Sequence, residues 1–463
     1  MRTTLVAAGL CLLAVPAAPA RGHTPTADRP EARATAATTG PASPVERVSV
    51  TADGQQANGD SRSAVISGDG RTVVFFSEAT NLVPNARVTG SQIYAKDLRT
   101  GAVDLVSVGS QGALASGLGG RLTVSDDGRF VAFDAESAIE PTDTNQGPDV
   151  YLRDRQRRRT ELVTAKAPDA PDARSFGASL SAAGRYVSFT SLRADFGPRD
   201  TNGTGDVYVR DRQRGTTELV SVATDGSQGD GPSAESLLSP DGRQVTFTTQ
   251  AKTLFPWPRA ASPAAPPAET EAAPKRPVPY VTFGVHDRRT GRTTAGAYNT
   301  DDLPAKASYE LAFSADSRIL LFRSGQQIVP GNGPADVWNY YARDLRTGAI
   351  RRLILLPDGS VPPHTAYGLG LSPDGRTVYF TASDADFAPG DPHPAWDTYQ
   401  RDLETGQVSR LVSTPDGGSP RDGSWGVQPD RAGRALTFVS DSPDLVSGDT
   451  NGVGDVFVRR LGR

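Results

Sequence analysis

Three short segments place carboxylate and amide oxygens at a repeated spacing: Asp143-Thr144-Asn145, Asp200-Thr201-Asn202-Gly203 and Asp449-Thr450-Asn451-Gly452. Each is followed, six residues after its first Asp, by a further carboxylate: Asp149, Asp206 or Asp455. Oxygen ligands at positions 1, 3 and 7 are the start of a calcium shell, because that hard cation takes about 6–8 oxygens, backbone and water included. The competing chemistry is local: Asp and Asn in such loops make Asx turns, and the last Asp of each group can accept backbone amides at the head of a strand. A second group combines His364 and His393 with Asp391 and Trp396, in which a His–Asp pair beside an aromatic wall would suit a sugar or peptide ligand, or acid–base work. His286 differs, since it stands where other copies of its motif carry Lys96, Arg153, Arg210, Arg343, Arg401 and Arg459. Nucleophilic catalysis finds no Gly-x-Ser-x-Gly elbow, and neither a His-Glu-x-x-His zinc helix nor a phosphate-cradling Gly-Lys-Ser/Thr loop occurs.

The elements that must hold these residues repeat. Ser-x-Asp-Gly-Arg begins at Ser67, Ser125, Ser239 and Ser372, with altered copies at Ser181, Ser314 and Asp430. Four residues after each Arg stands a phenylalanine: Phe75, Phe133, Phe189, Phe247, Phe322, Phe380 and Phe438. Each repeat reads as four strands: a small apolar one, the Asp-Gly-Arg hairpin, a Val-x-Phe strand, a variable loop, an Asp-Val-Tyr-x-Arg-Asp strand, a turn ending Thr-Gly, and an outer strand such as Glu218 to Val222. Four antiparallel strands per repeat of about 40–60 residues build a propeller blade, so the expected fold is all-β, a seven-bladed β-propeller. The last repeat ends after its third strand, and the missing fourth is found at the other end, where Glu46-Arg47-Val48-Ser49-Val50 matches Glu218 to Val222. The ring is therefore expected to close through strand 45–51 joining the last blade.

Composition narrows the function. Forty-nine Lys+Arg against 53 Asp+Glu leave a net charge of −4, without the positive field of a nucleic-acid coat. Met1-Arg2, an apolar run from Leu5 to Val15 and Ala18-Pro19-Ala20 have the form of a secretory signal peptide over residues 1–20. The single cysteine, Cys11, lies within it, so the exported chain would carry neither disulfide nor thiolate. Residues 21–44 are rich in Ala, Pro and Thr and read as a disordered linker, with one propeller over 45–463 and a Pro/Ala-rich insertion at about 256–279. No later segment is apolar for the roughly 20 residues that a transmembrane helix needs.

The stretches Ser372 to Phe380 and Asp397-Thr398-Tyr399-Gln400-Arg401-Asp402-Leu403-Glu404-Thr405-Gly406 resemble the repeats of the TolB-type β-propeller family. The resemblance covers residues 45 to 463 and implies the fold. It also implies a role drawn from a family that includes partner-binding envelope proteins, peptidase-associated propellers and lyases. Those lyases hold a metal at the ring axis with several histidines, to which only His364 and His393 could correspond here. The reading that follows is an exported, monomeric, non-catalytic scaffold for a protein, peptide or glycan. The alternatives are a carbohydrate-active lyase or hydrolase at the mouth of the central channel, and a ring stiffened by calcium.

Overall fold

The computed structural model describes residues 45–461 apart from 146, 166–173, 195, 197–199, 257–280, 307–311, 331–337, 357, 365, 384–386 and 388–394. The described residues form seven four-stranded antiparallel sheets. Six follow chain order, one per repeat, beginning with Ser61–Ile66, Thr72–Ser77, Gln92–Asp97 and Val103–Leu105 in blade 1. The seventh takes Ser424–Pro429, Ala435–Ser440 and Asp455–Arg460 from one end of the chain and Val45–Arg47 from the other. Val45 pairs with Arg459 and Arg47 with Phe457, so the ring closes as the repeat arithmetic requires.

The closing strand is shorter than the 45–51 read from the sequence. Ser49 explains the difference: its hydroxyl accepts the Val456 amide at 3.1 Å, and the main chain then turns away. Blade 3 repeats the device, with Val207 N–H donating to the Ser221 hydroxyl at 3.1 Å just beyond the outer strand Thr216–Leu219. A side chain that takes over a ladder hydrogen bond ends the strand at that point.

The Ser-x-Asp-Gly-Arg turns are locally self-sufficient. In blade 1 the Ser67 hydroxyl donates to Asp69 at 2.6 Å and accepts the Thr72 amide at 2.9 Å. The Asp69 carboxylate accepts the Arg71 amide at 3.0 Å. Gly70 supplies a φ of 68°, a left-handed conformation that costs a residue with a Cβ roughly 1 kcal/mol or more. In blade 7 Asp430 replaces the serine and accepts the Arg434 amide at 2.7 Å and the Ala435 amide at 3.2 Å, so the altered motif makes the same turn.

All seven repeat phenylalanines are fully buried. Six face an aromatic ring of the third strand, as in Phe133 and Tyr151 with centroids 5.8 Å apart, or Phe438 and Phe457 at 5.5 Å. Blade 4 carries Gly284 at that position, and Phe255 fills the space beside Phe247. The apolar core is divided into seven clusters, each joining two neighbouring blades; one unites Val74, Phe76 and Ile93 of blade 1 with Val131, Phe133 and Tyr151 of blade 2. No blade buries its faces alone, which is why the ring must be complete to be stable.

Arginines on the face that carries the hairpin turns tie the first four blades together. Arg212 of blade 3 lies 4.6 Å over the Phe130 ring of blade 2, donates to Gly184 O at 2.6 Å and pairs with Glu161 at 2.9 Å. Arg288 of blade 4 lies 4.1 Å over Tyr186 of blade 3 and pairs with Glu218. Arg155 of blade 2 pairs with Asp104 of blade 1 at 2.8 Å. Within blades, the arginine of the turn motif grips the third-strand aspartate through two nitrogens: Arg129 with Asp154, Arg185 with Asp211. His286 takes part in the same scaffold, its Nδ1 lying 2.8 Å from the Thr293 hydroxyl, which in turn reaches Val222 O of blade 3.

Candidate functional site

The loops joining second to third strands, and each blade to the next, gather on the face opposite those turns. The Asp-Thr-Asn segments lie there. In blade 3 the Asp206 carboxylate, 1% exposed, accepts the Ser221 hydroxyl at 2.6 Å and the Gln228 amide at 2.6 Å. The same Gln228 nitrogen donates to Asp200 at 2.9 Å, and its carbonyl accepts the Thr201 amide at 2.7 Å. Asp200 also accepts the Asn202 and Gly203 amides, and Asn202 donates to Gly229 O. Blade 7 reproduces this in detail, with Gln56 donating to Asp449 at 2.9 Å and Asp455 at 2.8 Å, and Asn451 donating to Ala57 O. It adds a cation: Arg47 reaches Asp449 at 3.0 Å and Asp455 at 3.2 Å. A glutamine amide thus fills the space between the paired carboxylates that the spacing offered to calcium.

Blade 2 differs. Asn145 donates to Asp149 at 2.7 Å, and Tyr151 donates its hydroxyl to Asp143. Among the described residues no group of three or more His, Cys, Asp or Glu is arranged to hold a metal ion. The partner missed by sequence reading is the glutamine seven residues after the outer-strand serine, in Ser49 to Gln56 and Ser221 to Gln228. Its occurrence in the same two repeats as the complete Asp-Thr-Asn-Gly was the available signal.

Burial acts on these carboxylates. Desolvation raises Asp206 and Asp455 above the ordinary carboxylate range, opposed by the hydroxyl and amide donors and, for Asp455, by Arg47.

Of the second group, Asp391 and His393 fall outside the described residues, and His364 is exposed in the segment entering blade 6. Trp396 opens the third strand of that blade, Trp396–Asp402, and is 37% exposed. The structure sets Tyr367 against it, 39% exposed, with ring centroids 5.0 Å apart and planes at 62°. Behind them Arg323 of blade 5 places its guanidinium carbon 4.9 Å from the Tyr367 centroid and 5.1 Å from that of Trp338. Gly325 admits the Trp338 indole, since a Cβ there would lie 3.1 Å from it. An edge-to-face aromatic pair backed by a stacked cation is a rigid, half-wet surface, suited to sugar rings or peptide side chains. Tyr367 and Arg323 were not singled out in the sequence. Arg323 follows the repeat phenylalanine directly, where the other blades carry Phe76, Asp134, Thr190, Thr248, Thr381 and Val439, so a cation there was the visible anomaly.

Asp134 is the other charged residue at that position. It is 5% exposed, and accepts the amides of Gly177 at 2.7 Å and Ala178 at 3.3 Å from the first strand of blade 3, Ser175–Leu180. Burial lifts its carboxyl to about 7, with Glu235 adding a like charge. Glu235 lies in the first strand of blade 4, Ser233–Leu238, with a φ of 55°; its own carboxyl is raised by burial and lowered by Arg121. First strands of successive blades lie against one another around the axis. Glu235 thus acts electrostatically on Asp134, and Arg121 on Glu235, across the first strands of blades 2 to 4.

Fold and repeat define the protein as a seven-bladed β-propeller. No family model and no curated protein sequence matches the chain. Similar solved structures include an oligogalacturonate lyase from Vibrio parahaemolyticus, with TM-score 0.54 and 12% identity over 90% of this chain and 94% of that one. The β-propeller domain of the Trilobed protease from Pyrococcus furiosus matches with TM-score 0.50 and 10% identity, over 88% and 98%. That propeller is described as having an open velcro topology, whereas here the strand Val45–Arg47 completes the last sheet. TolB from Acinetobacter baumannii gives TM-score 0.36 and 14% identity over 81% and 76%. At these identities the likeness is one of fold.

Proposed function

We propose that this protein is an exported binding propeller that holds a peptide or glycan on its variable face, across blades 5 and 6, and performs no chemistry on it. The observation that carries the reading is the exposed Tyr367–Trp396 pair backed by Arg323. Buried aromatics stabilise a fold, whereas two large rings left more than a third exposed at one spot are surface reserved for a partner. Export rests on the amino-terminal sequence, and among the described residues no helix is long and apolar enough to cross a membrane.

The test is binding of the full chain to glycan and peptide arrays, followed by tryptophan fluorescence titration with the hits. Trp396→Ala and Tyr367→Ala should each weaken binding about 10- to 100-fold, as expected for aromatic anchors worth ~1.4–2.8 kcal/mol, with an unchanged melting temperature. Full binding by both variants would move the site elsewhere.

A second reading, a carbohydrate-active enzyme, is favoured by Asp134, since a carboxyl raised by burial to about 7 has the protonation range of a general acid. It predicts turnover in a polysaccharide screen that Asp134→Asn abolishes. Screening the same panel for both binding and turnover separates the two readings.

A further inference from the structure

Blade 7 breaks the charge rule of the turn face. In the other six blades the third strand ends in an aspartate: Asp97, Asp154, Asp211, Asp287, Asp344 and Asp402. In four of them that carboxylate is the partner of the turn-motif arginine, with contacts of 2.5–2.6 Å. Arg460 occupies the position in blade 7; it faces Ala435 in the ladder, as Asp154 faces Phe130. Arg434 consequently has a second arginine where its counterparts have a carboxylate. It donates to Asp69 O of blade 1 at 2.6 Å, and its Nε stays 4.0 Å from Asp430, whose carboxylate is engaged by two backbone amides.

The residue before it departs from the pattern as well. In four other blades this basic side chain spans to a carbonyl of the preceding blade, as Lys96 does to Thr51 O at 2.9 Å, Arg153 to Val108 O, Arg343 to Gly296 O at 2.6 Å and Arg401 to Leu353 O at 3.0 Å. Arg459 makes no such bond among the described residues, and its Nε is buried without a partner, as are those of Arg343 and Arg401.

Two adjoining cavities open at this place. One, of about 480 Å³ between blades 6 and 7, is lined by Arg459, Arg460, Tyr379, Thr377 and Gln400 among others. The second, of about 300 Å³ between blades 7 and 1, is lined by Asp69, Gly70, Arg71, Arg434, Arg460 and Leu461, and shares Arg460 and Leu461 with the first. Two carboxylates border them, and both serve their own turns. Asp374 accepts the Ser372 hydroxyl and the Arg376 amide, and Asp69 accepts the Ser67 hydroxyl and the Arg71 amide. Four guanidinium groups stand against three carboxylates, Asp69, Asp374 and the Asp430 beside Arg434, which leaves a local positive excess in a chain of net charge −4.

We propose that this double cavity is a binding site for a small oxyanion ligand, whose phosphate or carboxylate groups are held by Arg459 and Arg460, with Arg434 and Arg71 lining the second cavity. Guanidinium forks bind such oxygens through paired hydrogen bonds, and the combined space admits a molecule larger than a bare ion. The site lies on the opposite face from Tyr367 and Trp396, so it is independent of the partner surface described above.

The experiment is thermal-shift and calorimetric titration of the full chain with inorganic phosphate, pyrophosphate and citrate, at constant ionic strength set with sodium chloride. Arg460→Asp is the decisive variant, because it restores the repeat aspartate and supplies Arg434 with its partner, so it should fold at least as well as the parent. The parent should show saturable stabilisation by at least one anion, weakened tenfold or more in Arg460→Asp and in Arg459→Gln. Preference for phosphate or citrate identifies the group bound. Equal shifts in parent and both variants, or no saturable response to any of the three anions, would overturn the proposal.

Discussion

Replacing Arg47 with leucine should loosen the ring at its closure, and blade 3 supplies the built-in comparison. Both blades 3 and 7 hold a pair of carboxylates around a glutamine, yet blade 3 carries Leu219 at the position of Arg47. The Arg47 side chain is 8% exposed, and those of Asp449 and Asp455 are 5% and 0% exposed. Removing one member of a buried ion pair destabilises by about 3–5 kcal/mol. The low end, about 3 kcal/mol, is expected here, because Gln56 still donates to both carboxylates. Unfolding entropy near ~2.1 cal/mol/K per residue gives roughly 0.8 kcal/mol/K for a ring of ~400 residues, so the melting temperature should fall by about 4 °C. The pH dependence has a definite sign. Without Arg47 the folded pKa of Asp455, already raised by burial, rises further. A carboxyl raised in the fold stabilises it below its unfolded pKa, and this contribution is lost as pH climbs through the folded value. Scanning calorimetry should therefore show the larger deficit at about pH 8 and a smaller one at about pH 5. A fall under about 1 °C at the higher pH, or a deficit that grows on acidification, would refute the reasoning about this closure.

Three further outcomes follow from other parts of the ring. Arg212→Ala removes a charged hydrogen bond within blade 3 and a ring contact and a half-exposed ion pair to blade 2, and should lower the melting temperature by about 3 °C, from ~2–3 kcal/mol in sum. Arg212→Lys should recover only part of the loss. Asp134, raised to about 7, weakens the fold as pH rises from about 4 to about 7, so Asp134→Asn should flatten the melting temperature over that range. An unchanged slope would place the carboxyl in wetter surroundings than its 5% exposure implies. Because glutamine amides occupy the space between the paired carboxylates, chelator should leave the melting temperature unchanged. Gln228→Glu, which adds a third carboxylate between Asp200 and Asp206, should make stability calcium-dependent. A chelator-sensitive parent would favour calcium in these loops instead.

The sequence by itself determined the number of blades, the strand order within each and the closure by the amino-terminal strand. The physical reason is locality: a Ser-x-Asp-Gly-Arg turn satisfies its own hydrogen bonds within six residues, and the buried phenylalanine follows at a fixed distance. Such patterns can be read along the chain, including the swap of serine for Asp430 in blade 7. The candidate sites were decided between blades. Asp200 and Asp206 were legible as a pair, but Gln228, which separates them, comes from the segment that leads into the next blade. Trp396 was legible as an odd aromatic, whereas its partners Tyr367 and Arg323 arrive from different strands, Arg323 from blade 5. Arg460 shows the two kinds of information together. Its departure from the repeat aspartate is written in the sequence, and only the ring brings Arg71, from the far end of the chain, to the same cavity. Turn and strand follow from neighbours in sequence, whereas a binding surface depends on which blades the closed ring sets side by side.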